Sequence, residues 1–98
     1  MNVLLKYLYR DAGNNKRHDR VTFSNKQGTD MDVLLKTIRS KLLDGRCFVA
    51  EEVGVPALYF DSYDPELDHA WHEFDDLIEV DTEPNTGDRD ISQFIAAL

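Results

Sequence analysis

The run Asp68-His69-Ala70-Trp71-His72-Glu73 gathers two imidazoles between two carboxylates. Those side chains are good ligands for zinc or another divalent transition metal, and Glu73 beside them is a suitable base for a metal-dependent hydrolase. The spacing speaks against that use. His69 and His72 stand three apart, which brings them together on a helix but sends them to opposite faces of a strand, and the helical His-Glu-x-x-His pattern is absent. The ordinary alternative is that His72 packs and hydrogen-bonds beside Phe74 while His69 is exposed. A metal held by His69 and His72, with Asp68 and Glu73 as neighbours, is the second functional reading of the chain, and no other cofactor is expected.

Other constellations are weaker. Asp61, Asp64, Glu66 and Asp68 offer clustered hard oxygens, but Pro65 and the missing glycine break the EF-hand pattern. Cys47 with His69 or His72 is a conceivable thiol and base, although no orienting group or oxyanion hole can be inferred, and a lone cysteine is ordinarily a small buried hydrophobe. Paired acids are too abundant for any one pair to stand out as glycosidase-like. The segment Lys16-Arg17-His18-Asp19-Arg20, with Tyr7 and Tyr9 near it, has cations for phosphates and rings for bases, yet a net charge of −8 opposes direct nucleic-acid binding and no recognised motif accompanies it. Glycine-rich phosphate loops are absent.

Charge is distributed unevenly. Residues 1–46 hold 10 bases and 5 acids, whereas residues 47–98 hold 1 base and 14 acids. Between Asp61 and Glu83 there are ten carboxylates and no Lys or Arg. A one-signed field steers association with surfaces of opposite sign. The expected function is therefore that of a small acidic interaction module, an inhibitor or nucleic-acid mimic that docks its 61–83 segment on a basic protein. Asp61, Asp64, Glu66, Asp68, Glu73, Asp75, Glu79 and Asp81 are the candidate contact residues, with Glu73, Asp75, Glu79 and Asp81 expected on one strand face. Fully extended, the segment carries roughly one charge per 7.6 Å against about one per 1.7 Å along duplex DNA, so mimicry requires folding to stack the acids. Pairing of the basic half of one copy with the acidic half of another is a third reading.

The elements that position these residues follow from periodicity. Val3, Leu5, Tyr7 and Tyr9 share one parity of a β-rich run, and after the turn formers Gly13-Asn14-Asn15 a second strand alternates through Val21 and Phe23. Thr29 or Asp30 can cap a helix whose stripe is Met31, Leu34, Leu35, Ile38 and Leu42, with Lys36, Arg39 and Lys41 toward its carbonyl end and Asp44-Gly45 as terminator, so that it ends near Leu43. Arg46 to Tyr63 reads as irregular, with one helical turn around Phe48–Glu52 and a short β-prone Leu58-Tyr59-Phe60. From His72 the even positions, His72, Phe74, Ile78 and Val80, form the inward face of a strand in which Asp76 marks a bulge or edge defect. Asp88 or Asp90 caps a last short helix carrying Ile91, Phe94, Ile95 and Leu98.

The expected architecture is a single α+β domain over residues 1–98, an antiparallel sheet in the order β-β-α-irregular-β-α with helices packed on one face. Hydrophobic content of 42% supports a core, one cysteine precludes an internal disulfide, and no segment approaches the roughly 20 apolar residues that span a bilayer. With no apolar signal core after Met1-Asn2-Val3, a cytoplasmic location is expected.

Thr22-Phe23-Ser24-Asn25, Val53-Gly54-Val55-Pro56 with Leu58-Tyr59-Phe60, and Asp64-Pro65-Glu66-Leu67-Asp68-His69 running into Trp71-His72-Glu73-Phe74 make the chain similar to a group of short uncharacterised bacterial proteins. The resemblance covers nearly the whole chain. It implies a bacterial, phage or mobile-element origin and carries no activity, cofactor or catalytic residue.

Overall fold

The computed structural model describes residues 1–61, 63–64 and 68–98. Its elements are β1 (Asn2–Arg10), β2 (Lys16–Phe23), α1 (Met31–Lys41), β3 (Cys47–Val49), α2 (Ala50–Val53), β4 (Trp71–Val80) and α3 (Ile91–Ala97). The four strands form one antiparallel sheet in the order β2-β1-β4-β3, and helices pack on one face of it as the α+β pattern requires. Among the described residues no helix is long and apolar enough to cross a membrane.

The odd residues of β1 decide which face is covered. Val3, Leu5, Tyr7 and Tyr9 are fully buried, and they share a core with Val21 and Phe23 of β2, Leu34 and Ile38 of α1, Ala50 and Val53 of α2, and Ile91 and Phe94 of α3. Each buried aliphatic or aromatic side chain contributes about 1.5–3 kcal/mol by leaving water, so this stripe fixes the register. Leu4, Lys6, Leu8 and Arg10 point to the other face, on which no helix packs among the described residues.

Helix α1 stops earlier than its stripe suggests. Leu42 is already extended and buried, and Asp44 and Gly45 both take the left-handed conformation, turning the chain into β3. At the other end Asp30 occupies the cap position but its side chain accepts no capping hydrogen bond. The turn before it is closed by the Asn25 side chain, whose Oδ1 accepts from the Thr29 amide while its Nδ2 donates to the Thr29 carbonyl. The segment read as irregular contains β3, which pairs Cys47, Phe48 and Val49 with Glu73, His72 and Trp71, and its helical turn is α2. Leu58-Tyr59-Phe60 joins no strand.

The bulge in β4 has the largest consequence. Lys6 pairs with Asp76 while Tyr7 pairs with Phe74, so Asp75 is an extra residue without a partner on β1. Inserting one residue reverses which parity faces the core. His72 and Phe74 face inward before the bulge, but Leu77 is the buried residue after it, and Ile78 is exposed. The inward even face expected from His72 to Val80 therefore ends at Phe74.

Helix α3 begins as its sequence suggests. Asp90 accepts from the Ser92 amide, and Gln93 Oε1 accepts from the Asp90 amide, completing a capping box. The other oxygen of Asp90 accepts from Ser24 Oγ at 2.9 Å and from the Lys26 amide at 2.8 Å, which fastens α3 to the end of β2.

Candidate interaction surface

His72 lies in the core with no solvent exposure, among the rings of Tyr7, Tyr9, Phe48 and Tyr59. Its Nε2 accepts from the Leu58 amide at 3.0 Å, which leaves Nδ1 as the protonated nitrogen donating to the Ala70 carbonyl at 3.1 Å. Burial lowers its pKa below the ordinary 6.5, consistent with a neutral ring whose two nitrogens are both engaged. That ring has no lone pair to give a metal. His69 is exposed, and its Nδ1 accepts from the Trp71 amide at 3.1 Å. Among the described residues no group of three or more His, Cys, Asp or Glu side chains is placed to hold a metal ion.

Cys47 and His69 line one shallow groove with Arg46, Trp71 and Glu73. Burial holds the Cys47 thiol above its ordinary pKa, the reverse of what a thiolate nucleophile needs. Neither His69 nor His72 accepts its proton among the hydrogen bonds of the described residues.

The candidate carboxylates do not form one face. Directly paired residues of an antiparallel sheet share a face, so Glu73, opposite Leu8, lies on the open side, whereas Glu79, opposite Val3, lies on the core side at its exposed rim. The expectation that Glu73, Asp75, Glu79 and Asp81 share one face fails because the bulge falls between them. Glu73 is half-buried and ion-paired with Arg10 at 2.9 Å, the one such pair among the described residues. Asp68 is turned inward on its own loop, accepting from the Asp64 amide at 2.9 Å. Asp61 is exposed, Asp64 is half-buried, and Glu66 lies outside the described residues.

What remains is a rim. Asp75, Asp76, Glu79, Asp81 and Glu83 are all exposed along the distal part of β4 and the turn after it. Because β3 pairs only with Trp71 to Glu73, Asp76 to Val80 has β1 on one side and, among the described residues, no strand on the other. The Leu77 amide is satisfied instead by Asp76 Oδ1 at 2.8 Å. The opposite edge repeats the device: the Arg20 amide donates to Asp19 Oδ1 at 2.7 Å. An edge amide covered by a neighbouring carboxylate is a poor template for an added strand.

The bases of the hairpin face the open side too. Lys6, Arg10, Lys16 and Arg20 share its parity with His18 among them, by the pairings Lys6 with Arg20, Leu8 with His18 and Arg10 with Lys16. A groove of about 370 Å³ crosses from His18 and Arg20 past Lys6 to Asp75. That the basic hairpin lies beside the acidic strand is a reading the sequence allows, but which residues meet was not legible, although two signals pointed to them: the even spacing of Lys16, His18 and Arg20, and the Asp75-Asp76 doublet that the bulge turns to one side. Arg17, of the other parity, instead donates to the Tyr59 carbonyl and stands over the Phe60 ring. Comparison with protein-family models, curated proteins and solved structures finds no match to this chain.

Proposed function

We propose that this chain is a non-enzymatic interaction module whose carboxylate rim, Asp75, Asp76, Glu79, Asp81 and Glu83, docks on a basic protein surface. It would act as an inhibitor where that surface otherwise holds nucleic acid. The supporting observation is that these five exposed acids have no Lys or Arg ion-pair partner among the described residues, since Arg10–Glu73 is the one pair. Among the described residues the basic first half ion-pairs with Glu73 alone, which supports a rim whose field is available to a partner. The metal-hydrolase reading lacks such support, because His72 is spent on Leu58 and Ala70.

The test separates the rim from net charge. Binding of a decalysine peptide is compared between wild type, the triple variant Glu79→Gln, Asp81→Asn, Glu83→Gln, and a control of equal net charge, Asp32→Asn, Asp44→Asn, Glu52→Gln. At about 0.5 kcal/mol for each exposed charge, the rim variant should bind about tenfold more weakly than wild type. The control should change little. Equal losses in the two variants, or an affinity indifferent to salt, would defeat the reading.

A further inference from the structure

The open face of the sheet is basic on one side and acidic on the other, with an apolar row next to these charges along the strands. Lys6, Arg20 and their neighbours occupy the β2–β1 side, and Glu73, Asp75 and Asp76 occupy the β4 side. Leu4 pairs with Ile78 on this face, where Ile78 is 38% exposed. At the β3 corner Trp71, paired with Val49, is 40% exposed, and Leu43, bridged to Cys47, is 48% exposed. Among the described residues, three of the five exposed large hydrophobic side chains thus belong to the sheet face that no helix covers.

We propose that this face is a homodimer interface, with a second copy of the chain as its occupant. A twofold axis lying in the interface and parallel to the strands exchanges the two sides of the sheet. It sets Lys6 and Arg20 of one copy over Asp75 and Asp76 of the other, twice, and lays the Leu4–Ile78 row on its own copy. An axis across the strands would set cation on cation, so the charge layout selects one of the two face-to-face arrangements. Three to four strands about 4.8 Å apart and about 25 Å long give roughly 360–480 Å² per copy, about 700–950 Å² in all, just under the ~1,000 Å² that a specific interface should clear. The dimer is accordingly weak and sensitive to salt. Overall charge of −8 per copy opposes it, but Glu79, Asp81 and Glu83 lie at the rim or beyond the face, and screening with a length of about 8–10 Å weakens their repulsion relative to the facing pairs. This inference shares Asp75 and Asp76 with the basic-partner reading, but its test is distinct, because it does not change Glu79, Asp81 or Glu83.

Charge exchange tests it. The full chain at about 500 µM in low salt should sediment as a dimer and dissociate toward about 1 M salt, where the screening length falls to roughly 3 Å. Lys6→Glu with Arg20→Glu, and separately Asp75→Lys, should each raise the dimer dissociation constant at least tenfold. Mixed in equal amounts they should form the heterodimer, since the altered faces are complementary. Circular dichroism confirms folding of each variant, and Arg20→Glu alone, at an exposed side chain, replaces the double variant if that one does not fold. A wild-type monomer in low salt, a charge-reversed variant that dimerises as wild type does, or a mixture that stays monomeric would each overturn the proposal.

Discussion

At the scale of single residues, two buried ionisable groups tie loops to the core and make stability depend on pH. Burial alone would raise the Asp90 pKa, but hydrogen bonds from Ser92, the Lys26 amide and Ser24 outweigh it and bring it down to about 2. A carboxylate held below its unfolded value stabilises the fold above that unfolded value and loses the contribution as pH falls through the folded one. The loss from this group should run from about pH 4 to pH 2 and amount to about 2 kcal/mol. Asp90→Ala should remove that acid-sensitive component and cost about 1–3 kcal/mol at neutral pH, measurable by urea unfolding. His72 acts over a higher window. Its folded pKa lies below 6.5, so the unfolded chain takes up the proton first and stability declines as pH drops through that value. His72→Ala leaves the Leu58 amide unpaired in a cavity and should cost about 2–5 kcal/mol, and the decline just below pH 6.5 should become shallower. An unchanged pH slope in this variant would contradict the assignment.

At the scale of elements, small turns and one bulge aim the surface. Gly54 ends α2 in the left-handed conformation at φ 71°, and a Cβ there would meet Arg89 Nη1 at 3.1 Å. Arg89 donates to the Gly54 carbonyl and stands over the Phe23 ring, linking α2 to the approach to α3. Gly54→Ala combines the backbone penalty with displacement of that guanidinium and should destabilise by about 1–2 kcal/mol, read as a lowered melting temperature. The bulge has a sharper test. Deleting Asp75 would put β4 in uninterrupted register, which turns either Leu77 or the pair His72 and Phe74 away from the core. A large loss of stability, at least about 3 kcal/mol, is expected from the deletion, whereas Asp75→Asn should be nearly neutral in thermal unfolding.

At the scale of the whole molecule, the fold separates two sheet faces: one covered by three helical elements, one left with facing stripes of opposite charge. Much of this was legible in sequence, because Val3, Leu5, Tyr7 and Tyr9 and the α1 stripe leave one arrangement that buries them together. β3 was not legible, since three residues have too short a period to read and Cys47–Val49 becomes a strand only by pairing with β4. The candidate surface was legible as composition and misread as geometry. Alternation from His72 predicts an inward Ile78, but the sequence contains no local mark that separates a bulge at Asp75 from a polar residue on a continuous strand. The amino-acid order by itself determined β1, β2, α1, β4 and α3, a cap for α3 at Asp88 or Asp90, the net charge and its division between halves, because these depend on near neighbours and simple counts. Only the tertiary structure decided which charges oppose one another, that Glu73 is consumed by Arg10, and that His72 is spent inside the core. Those outcomes depend on strand register, which is set by contacts between residues distant in the chain.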